Sequence, residues 1–129
     1  MGEENRAAVE RLLDAIDRGE PVPVMEEIFR DDVVTEYVQS GERVVGLDNV
    51  RGLYGAFAGL PKVTTRRILG RDDLWIAEMD LDYSSGAPYK GVFILEFDAD
   101  GKVVRETDYF AEPFEPAEWR TAWVSVDRD

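Results

Sequence analysis

The chain has 129 residues, 44% hydrophobic and 11% aromatic, a composition typical of one globular domain. Fifteen basic and 28 acidic residues give a net charge of −13, which argues against nucleic acid and anionic membranes as partners. The sequence contains no cysteine and no histidine, which excludes disulfides, thiolate catalysis, serine–histidine triads and histidine-based zinc sites. It shows no signal peptide and no membrane span, so we expect a soluble cytoplasmic protein.

The first half of the chain is predicted to be mainly helical. Apolar residues recur at helical spacing from Glu3 to Arg18, and Gly19 suits the C-terminal cap. Pro21 and Pro23 break the chain after this helix. The next predicted elements are a short helix from Val24 to Phe29, a strand from Val33 to Val38, a return strand at Val44 and Val45, and a third helix from Asp48 to Phe57.

From Val63 onwards the apolar period changes from 3.6 to 2, which predicts strands. The predicted strands run from Val63 to Leu69, Leu74 to Tyr83, Tyr89 to Phe97 and Lys102 to Phe110. Glycine, proline, serine and aspartate fill the three connections, as in hairpin turns. The tail from Glu112 to Asp129, which holds Trp119 and Trp123, is expected to lie over the outside of the domain. Helices followed by an antiparallel meander indicate an α+β fold.

Two acids on the last strand are the candidate chemical groups. Glu106 and Asp108 share a strand face with Val104 and Phe110, so their carboxylates are predicted to face an apolar hollow. An aspartate in such a place has a raised pKa and can act as a base, and a nearby glutamate can share its proton. The alternative is a structural role for both acids: Asp108 would cap a helix or accept a hydrogen bond from a tyrosine, and Glu106 would pair with an arginine.

The remaining candidate residues line the predicted pocket. Tyr37 is a hydrogen-bond donor for a ligand oxygen, or else an ordinary half-buried tyrosine. The other predicted pocket residues are Thr35, Trp75, Met79, Leu81 and Phe110, for which plain core packing is the alternative. The alternating acids from Glu78 to Asp82 fit an exposed strand face better than a metal site, so no metal and no cofactor are predicted.

The order of elements resembles the nuclear transport factor two-like superfamily, and within it the SnoaL-like (polyketide-cyclase-type) domains. The resemblance lies in Phe29 to Tyr37, Gly46 to Val50 and Asp100 to Phe110, and it makes residues 1–129 a single SnoaL-like domain. It implies a cone-shaped, cystatin-like fold in which a curved antiparallel sheet wraps around three N-terminal helices and leaves a pocket. It also implies a homodimer, for which the outward apolar residues Ile76, Val92 and Ile94 provide a surface.

The last strand also resembles limonene epoxide hydrolases, in which a motif ending Asp-Tyr-Phe carries the aspartate that activates water. Here Asp108 to Phe110 match that motif. The Arg-x-Asp positions of that family hold Met79 and Leu81, or Glu78 and Asp80 if the register slides by one residue, and neither register supplies an arginine. The position of the ketosteroid-isomerase base holds Tyr37, and the histidine of the cyclase pattern is absent. Two functions therefore stay open. One is acid/base conversion of a small apolar molecule with a carbonyl or similar oxygen, using Asp108 and Tyr37. The other is a non-catalytic binding or dimerisation module.

Overall fold

The computed structural model describes residues 2–126, which form three α-helices, six β-strands and one short 3₁₀ helix. The α-helices are α1 (Gly2–Asp17), α2 (Val22–Ile28) and α3 (Leu47–Ala56). The strands are β1 (Phe29–Tyr37), β2 (Glu42–Val45), β3 (Lys62–Arg71), β4 (Leu74–Asp82), β5 (Tyr89–Phe97) and β6 (Val103–Ala111). The 3₁₀ helix spans Glu118–Trp123. Asp127 to Asp129, the end of the predicted tail, lie outside the described residues.

The apolar residues whose helical spacing predicted the first helix are buried in the structure. Val9 and Leu12 of α1 are fully buried, and this helix packs against β3 and β4. The second helix begins two residues earlier than predicted, because Pro23 sits inside its first turn. Proline is tolerated there since the backbone N–H groups of a first turn have no acceptor within the helix.

The six strands form one curved, open sheet in the order β2-β1-β6-β5-β4-β3. The prediction of an α+β fold with a curved sheet around N-terminal helices is confirmed. All neighbouring strands are antiparallel except β1 and β6, which run parallel. Strand β6, the last strand of the C-terminal meander, therefore pairs with the first strand of the chain and joins the two halves of the sheet.

The inner face of the sheet carries the core, and the alternation that predicted it holds along β4 and β5. At the start of β6 the alternation shifts by one residue, because Phe97 pairs with Val103 whereas Glu96 pairs with Arg105. Val104 is the extra residue of a β-bulge, and the fully buried residue is Val103. The prediction that Val104 shares the face of Asp108 is therefore wrong, while Glu106 and Asp108 keep the inner face.

The outer face of the sheet and the C-terminal segment carry apolar side chains on the surface. Ile76, Val92 and Ile94 are half-buried on the outer face rather than fully exposed. In the tail, Phe114 is 82% exposed and Trp123 is 80% exposed. Within residues 2–126, no helix is long and apolar enough to cross a membrane.

The turn between β3 and β4 depends on Gly70. Its φ of 150° is a conformation that side chains rarely adopt, and an added Cβ would lie 2.2 Å from the carbonyl oxygen of Leu74. Because backbone cannot move aside cheaply, we expect Gly70→Ala to reduce the free energy of unfolding by roughly 2–4 kcal/mol in urea denaturation. The matched control is Gly52→Ala in α3, where an added Cβ meets open space. It should raise stability by about 0.5–1 kcal/mol, and equal effects of the two changes would contradict this account.

Candidate active site

A cavity of about 500 Å³ opens at the end of the sheet where β4 finishes and β5 begins. Seven of its lining residues are aromatic: Tyr37, Tyr54, Phe57, Tyr83, Tyr89, Phe93 and Phe110. Five more are aliphatic: Ile16, Leu53, Leu60, Pro61 and Leu81. The polar ones are Gln39 and Ser40, from the turn between β1 and β2, and Glu42, the first residue of β2. The size and lining of the cavity suit a small, mainly apolar ligand.

Two carboxyl groups lie side by side on the inner face of β6. Glu106 is 3% exposed and Asp108 is 1% exposed. Burial raises the pKa of Asp108 well above its usual range, and the charge of Glu106 and a hydrogen bond to it raise it further. Burial also raises the pKa of Glu106, partly offset by the hydrogen bond from Asp108. Neither an arginine nor a lysine contributes to the raised pKa of either acid. The two acids therefore share a proton instead of pairing with a cation.

The Oδ1 atom of Asp108 is buried and has no hydrogen-bond partner within residues 2–126. A buried polar atom without a partner costs free energy, roughly 1–3 kcal/mol for a neutral group. Such atoms are rare in folded proteins and are often found at functional sites. Among the described residues, the Asp108 Oδ1 atom is the one buried side-chain oxygen or nitrogen without a hydrogen-bond partner.

Two tyrosines stand between the acid pair and the cavity. Tyr37 is the direct neighbour of Asp108 across the parallel β1–β6 pairing, and Tyr54 of α3 donates a hydrogen bond from its hydroxyl to that of Tyr37. Burial, followed by the charges of Asp108 and Glu106, raises the pKa of Tyr37. The pKa of Tyr54 is raised for similar reasons. Both phenols therefore stay neutral, and since Tyr54 already donates to Tyr37, the Tyr37 O–H remains available as a donor.

The predicted site residues occupy three places. Tyr37, Leu81 and Phe110 line the cavity. Thr35 and Glu106 line a small gap behind it, which shares Tyr37 and Tyr54 with the cavity wall. Asp108 lies behind the wall and is not among the lining residues of the cavity.

Trp75 and Met79, also predicted to line the pocket, are placed in the core. Both are buried, and neither is among the lining residues of the cavity in the described part of the chain. Trp75 donates from its indole N–H to the carbonyl of Asp72 at 3.0 Å, at the turn between β3 and β4. Tyr83, which does line the cavity, follows eight residues later along β4, a distance of about 27 Å in an extended strand.

Several aromatic residues of the site were not predicted from the sequence. Phe93 and Phe110 pack edge-to-face with ring centroids 5.8 Å apart, and Tyr83 and Tyr89 do so at 5.6 Å. The alternation of β5 places Phe93 on the inner face, which was a usable signal. For Tyr54, the helical pattern of α3 predicts that its side chain lies on the buried face of the helix, but it does not predict the hydrogen bond to Tyr37.

A second cavity of about 680 Å³ lies at the opposite end of the sheet, next to the start of α1. Its lining is mostly polar and includes Asp72, Asp98 and Asp100. The Asp98 carboxylate accepts backbone N–H bonds from Asp100 and Lys102, so it stabilises the β5–β6 turn. The aromatic cavity beside the acid pair is therefore the candidate active site.

Comparison with solved structures identifies relatives of the whole chain. An NTF-2-like protein of unknown function from Burkholderia xenovorans LB400 is 38% identical, with a TM-score of 0.85 over 98% of this chain and 97% of that one. The chain belongs to the NTF2-like proteins. This confirms the resemblance found in the sequence.

Two further structures share the fold of this NTF2-like protein. One, provisionally assigned as a ketosteroid isomerase, comes from Kribbella flavida DSM 17836 and is 25% identical, with a TM-score of 0.87 over 99% of this chain and 93% of that one. The other, provisionally assigned as a SnoaL-like polyketide cyclase, comes from Jannaschia sp. CCS1 and is 16% identical, with a TM-score of 0.71 over 85% of this chain and 87% of that one. No protein-family model and no curated protein matches the chain.

The buried acid pair predicts how stability depends on pH. In the unfolded chain Asp108 titrates near its ordinary pKa of about 3.9, whereas burial raises the pKa in the folded protein. Above about pH 4 the folded state therefore holds more protons than the unfolded state, and stability falls as pH rises through the raised pKa. We expect the free energy of unfolding to decrease from about pH 5 to pH 8 in urea denaturation, and Asp108→Asn to flatten that decrease.

The control for this measurement is Asp14→Asn, which removes an exposed acid from α1. It lowers the net negative charge by the same amount and should leave the pH dependence of the free energy of unfolding as in the wild-type protein. Parallel pH profiles for Asp108→Asn and wild type would show that the acid pair does not titrate differently in the folded state.

Proposed function

We propose that this NTF2-like protein binds a small apolar molecule with a carbonyl or similar oxygen and converts it by acid/base chemistry that uses Asp108. The observation that carries the proposal is the arrangement of a 500 Å³ aromatic cavity, a Tyr37 hydroxyl on its wall and a buried, proton-sharing acid pair directly behind. Relatives with the same fold are provisionally assigned as an isomerase and a polyketide cyclase, which is consistent with chemistry on such molecules.

Each residue has a defined role in this proposal. The Tyr37 hydroxyl donates a hydrogen bond to the ligand oxygen and stabilises negative charge that develops there. Tyr54 orients the Tyr37 hydroxyl through the hydrogen bond between them. Asp108, in its ionised form, removes a proton from the ligand or activates a water molecule, and Glu106 sets the fraction of Asp108 that is ionised.

A non-catalytic ligand-binding module is the second candidate. One observation favours it: Asp108 is 1% exposed and is not among the cavity-lining residues, so a side-chain or strand movement is needed before it touches a ligand. A binding protein needs only the cavity and the Tyr37 donor. The two candidates differ in what Asp108 does, and they agree on where the ligand lies.

A thermal-shift screen against apolar ketones, lactones and epoxides, followed by turnover assays on the hits, tests this proposal. A ligand at a hundred times its dissociation constant adds about 2.7 kcal/mol of stability, which raises the Tm by roughly 3–6 °C. We expect Tyr37→Phe to weaken binding of a hit several-fold because it removes the donor. Asp108→Asn should keep the thermal shift and reduce turnover by about 10²–10⁴-fold.

The matched control is Tyr109→Phe, which removes a phenol hydroxyl from the exposed outer face of β6. It should leave both binding and turnover unchanged. Retained turnover in Asp108→Asn would reject the catalytic role, and a bound ligand without any turnover in the wild-type protein would favour the binding module.

We also propose that the protein forms a homodimer through the outer face of the sheet. Ile76, Val92 and Ile94 form an apolar centre there, and ion pairs such as Lys90–Asp80 and Arg105–Glu36 lie around it. A surface with an apolar centre and a rim that contains both charges is complementary to a second copy of itself about a two-fold axis.

Light scattering should give the mass of a dimer at micromolar concentration. Ile94→Lys, at the centre of the outer face, should shift the protein to a monomer because dimerisation would take the charged ammonium out of water in an apolar contact. Glu20→Lys, an exposed change beside α1, is the control and should leave the dimer intact. A monomeric wild-type protein at these concentrations would refute the proposed dimer.

A further inference from the structure

The cavity wall has an uneven electrostatic character. Among its described lining residues there is no lysine and no arginine, whereas one, Glu42, is a carboxylate. Seven of the fifteen lining residues are aromatic, and they include four of the five tyrosines in the chain. Aromatic rings present negative π faces, so the rings and the Glu42 carboxylate favour a positive group, while the Tyr37 hydroxyl serves a ligand oxygen.

The carboxylates at the mouth of the cavity are held in place by hydrogen bonds. The Glu42 carboxylate accepts a bond of 2.6 Å from the Ser40 hydroxyl, and Glu112 accepts one of 3.2 Å from the Tyr89 hydroxyl. The Tyr89 ring packs edge-to-face on Tyr83. Glu42 therefore lines the cavity, and Glu112 is hydrogen-bonded to the lining residue Tyr89.

The acid pair behind the inner wall also favours a positively charged ligand. Because Asp108 and Glu106 share a proton, the pair carries at most one negative charge, and no lysine or arginine contributes to the pKa shift of either acid to offset its potential. In a cavity with apolar walls this potential is weakly screened, because little water separates the charges from a bound ligand.

We propose that the natural ligand of this cavity is an organic cation: an apolar, oxygen-bearing molecule with a substituted ammonium group, which lies against Tyr83 and Tyr89 near Glu42. A substituted ammonium is weakly hydrated, so aromatic faces and a nearby carboxylate compensate for its removal from water. The ligand oxygen then points inward to Tyr37. This inference rests on the proposed function, since it assigns the charge class of the ligand for the same cavity.

The same features disfavour other ligand classes. A carboxylate or phosphate ligand would enter a site whose described wall has no cationic partner and carries the Glu42 carboxylate. A bare metal ion would need several oxygen ligands, and residues 2–126 contain no group of three or more acids arranged to hold one. A neutral ligand would fit by shape alone and gain nothing from the charges.

The test compares a cationic and a neutral ligand of equal shape, together with a related anion, by calorimetry at 150 mM NaCl, where the Debye length is about 8 Å. Benzoylcholine carries a trimethylammonium group, 3,3-dimethylbutyl benzoate carries a tert-butyl group in its place, and 4-oxo-4-phenylbutanoate carries a carboxylate. All three have a phenyl ring and a carbonyl. We expect benzoylcholine to bind at least tenfold more tightly than the neutral ester, and the carboxylate to bind more weakly than both.

Two double variants assign the preference to the cavity. Tyr83→Phe with Tyr89→Phe keeps both rings and should keep most of the preference for the cation. Tyr83→Leu with Tyr89→Leu keeps apolar side chains at both positions but removes the π faces, and should reduce the preference to less than threefold. Circular dichroism and thermal melts confirm that both variants are folded before their binding is compared.

The outcomes separate this inference from the proposed function. Equal affinity for benzoylcholine and the neutral ester would overturn the cation preference and leave the proposed pocket standing. A preference that persists in the leucine variant would also overturn it, since the net charge of the protein would then be the cause. Absence of binding by both esters would count against the cavity as the ligand site, on which both proposals rest.

Discussion

The pairing of β6 with β1 on one side and β5 on the other is the constraint on which this structure depends. It joins the short β1–β2 hairpin to the C-terminal meander in one sheet. It also sets Asp108 opposite Tyr37 on one side and opposite Phe93 on the other. The aromatic wall, the tyrosine pair and the acid pair are consequences of this register, because a slip by one residue would turn both acids to the outer face.

The acid pair costs stability that the rest of the core must offset. Two carboxyl groups are taken out of water without a cation nearby, and one oxygen of Asp108 is left without a partner in the described chain. Replacing both groups by apolar residues of similar volume is commonly neutral or stabilising in protein cores. Retaining the acids against this cost fits a site in which they act on a ligand, as do the raised pKa values.

The sequence was sufficient to predict the elements and the faces of the strands, because alternation with a period of two identifies which side chains share a face. Hence Glu106 and Asp108 were correctly placed on the inner face of β6. Alternation does not give the position of a pocket along a strand, so Trp75 and Tyr83 looked equivalent although Trp75 lies near the start of β4 and Tyr83 directly follows its end.

Other features could not be predicted because they arise from contacts between distant segments. The bulge at Val104 follows from how β5 and β6 fit together in the curved sheet. The parallel pairing of β1 with β6 and the hydrogen bond from Tyr54 to Tyr37 join residues far apart in the chain. None of these has a local pattern in the sequence.

The inner polar groups of the cavity and the residues of its rim lie on different kinds of secondary structure. Tyr37, Tyr54 and the acid pair sit on strands and a helix, whereas most of the rim comes from connections at 38–41, 57–61 and 83–88. Connections of this kind tolerate insertions and exchanges that the sheet does not. Descendants of this chain can therefore change the cavity rim through three surface loops while the buried polar groups are inherited unaltered.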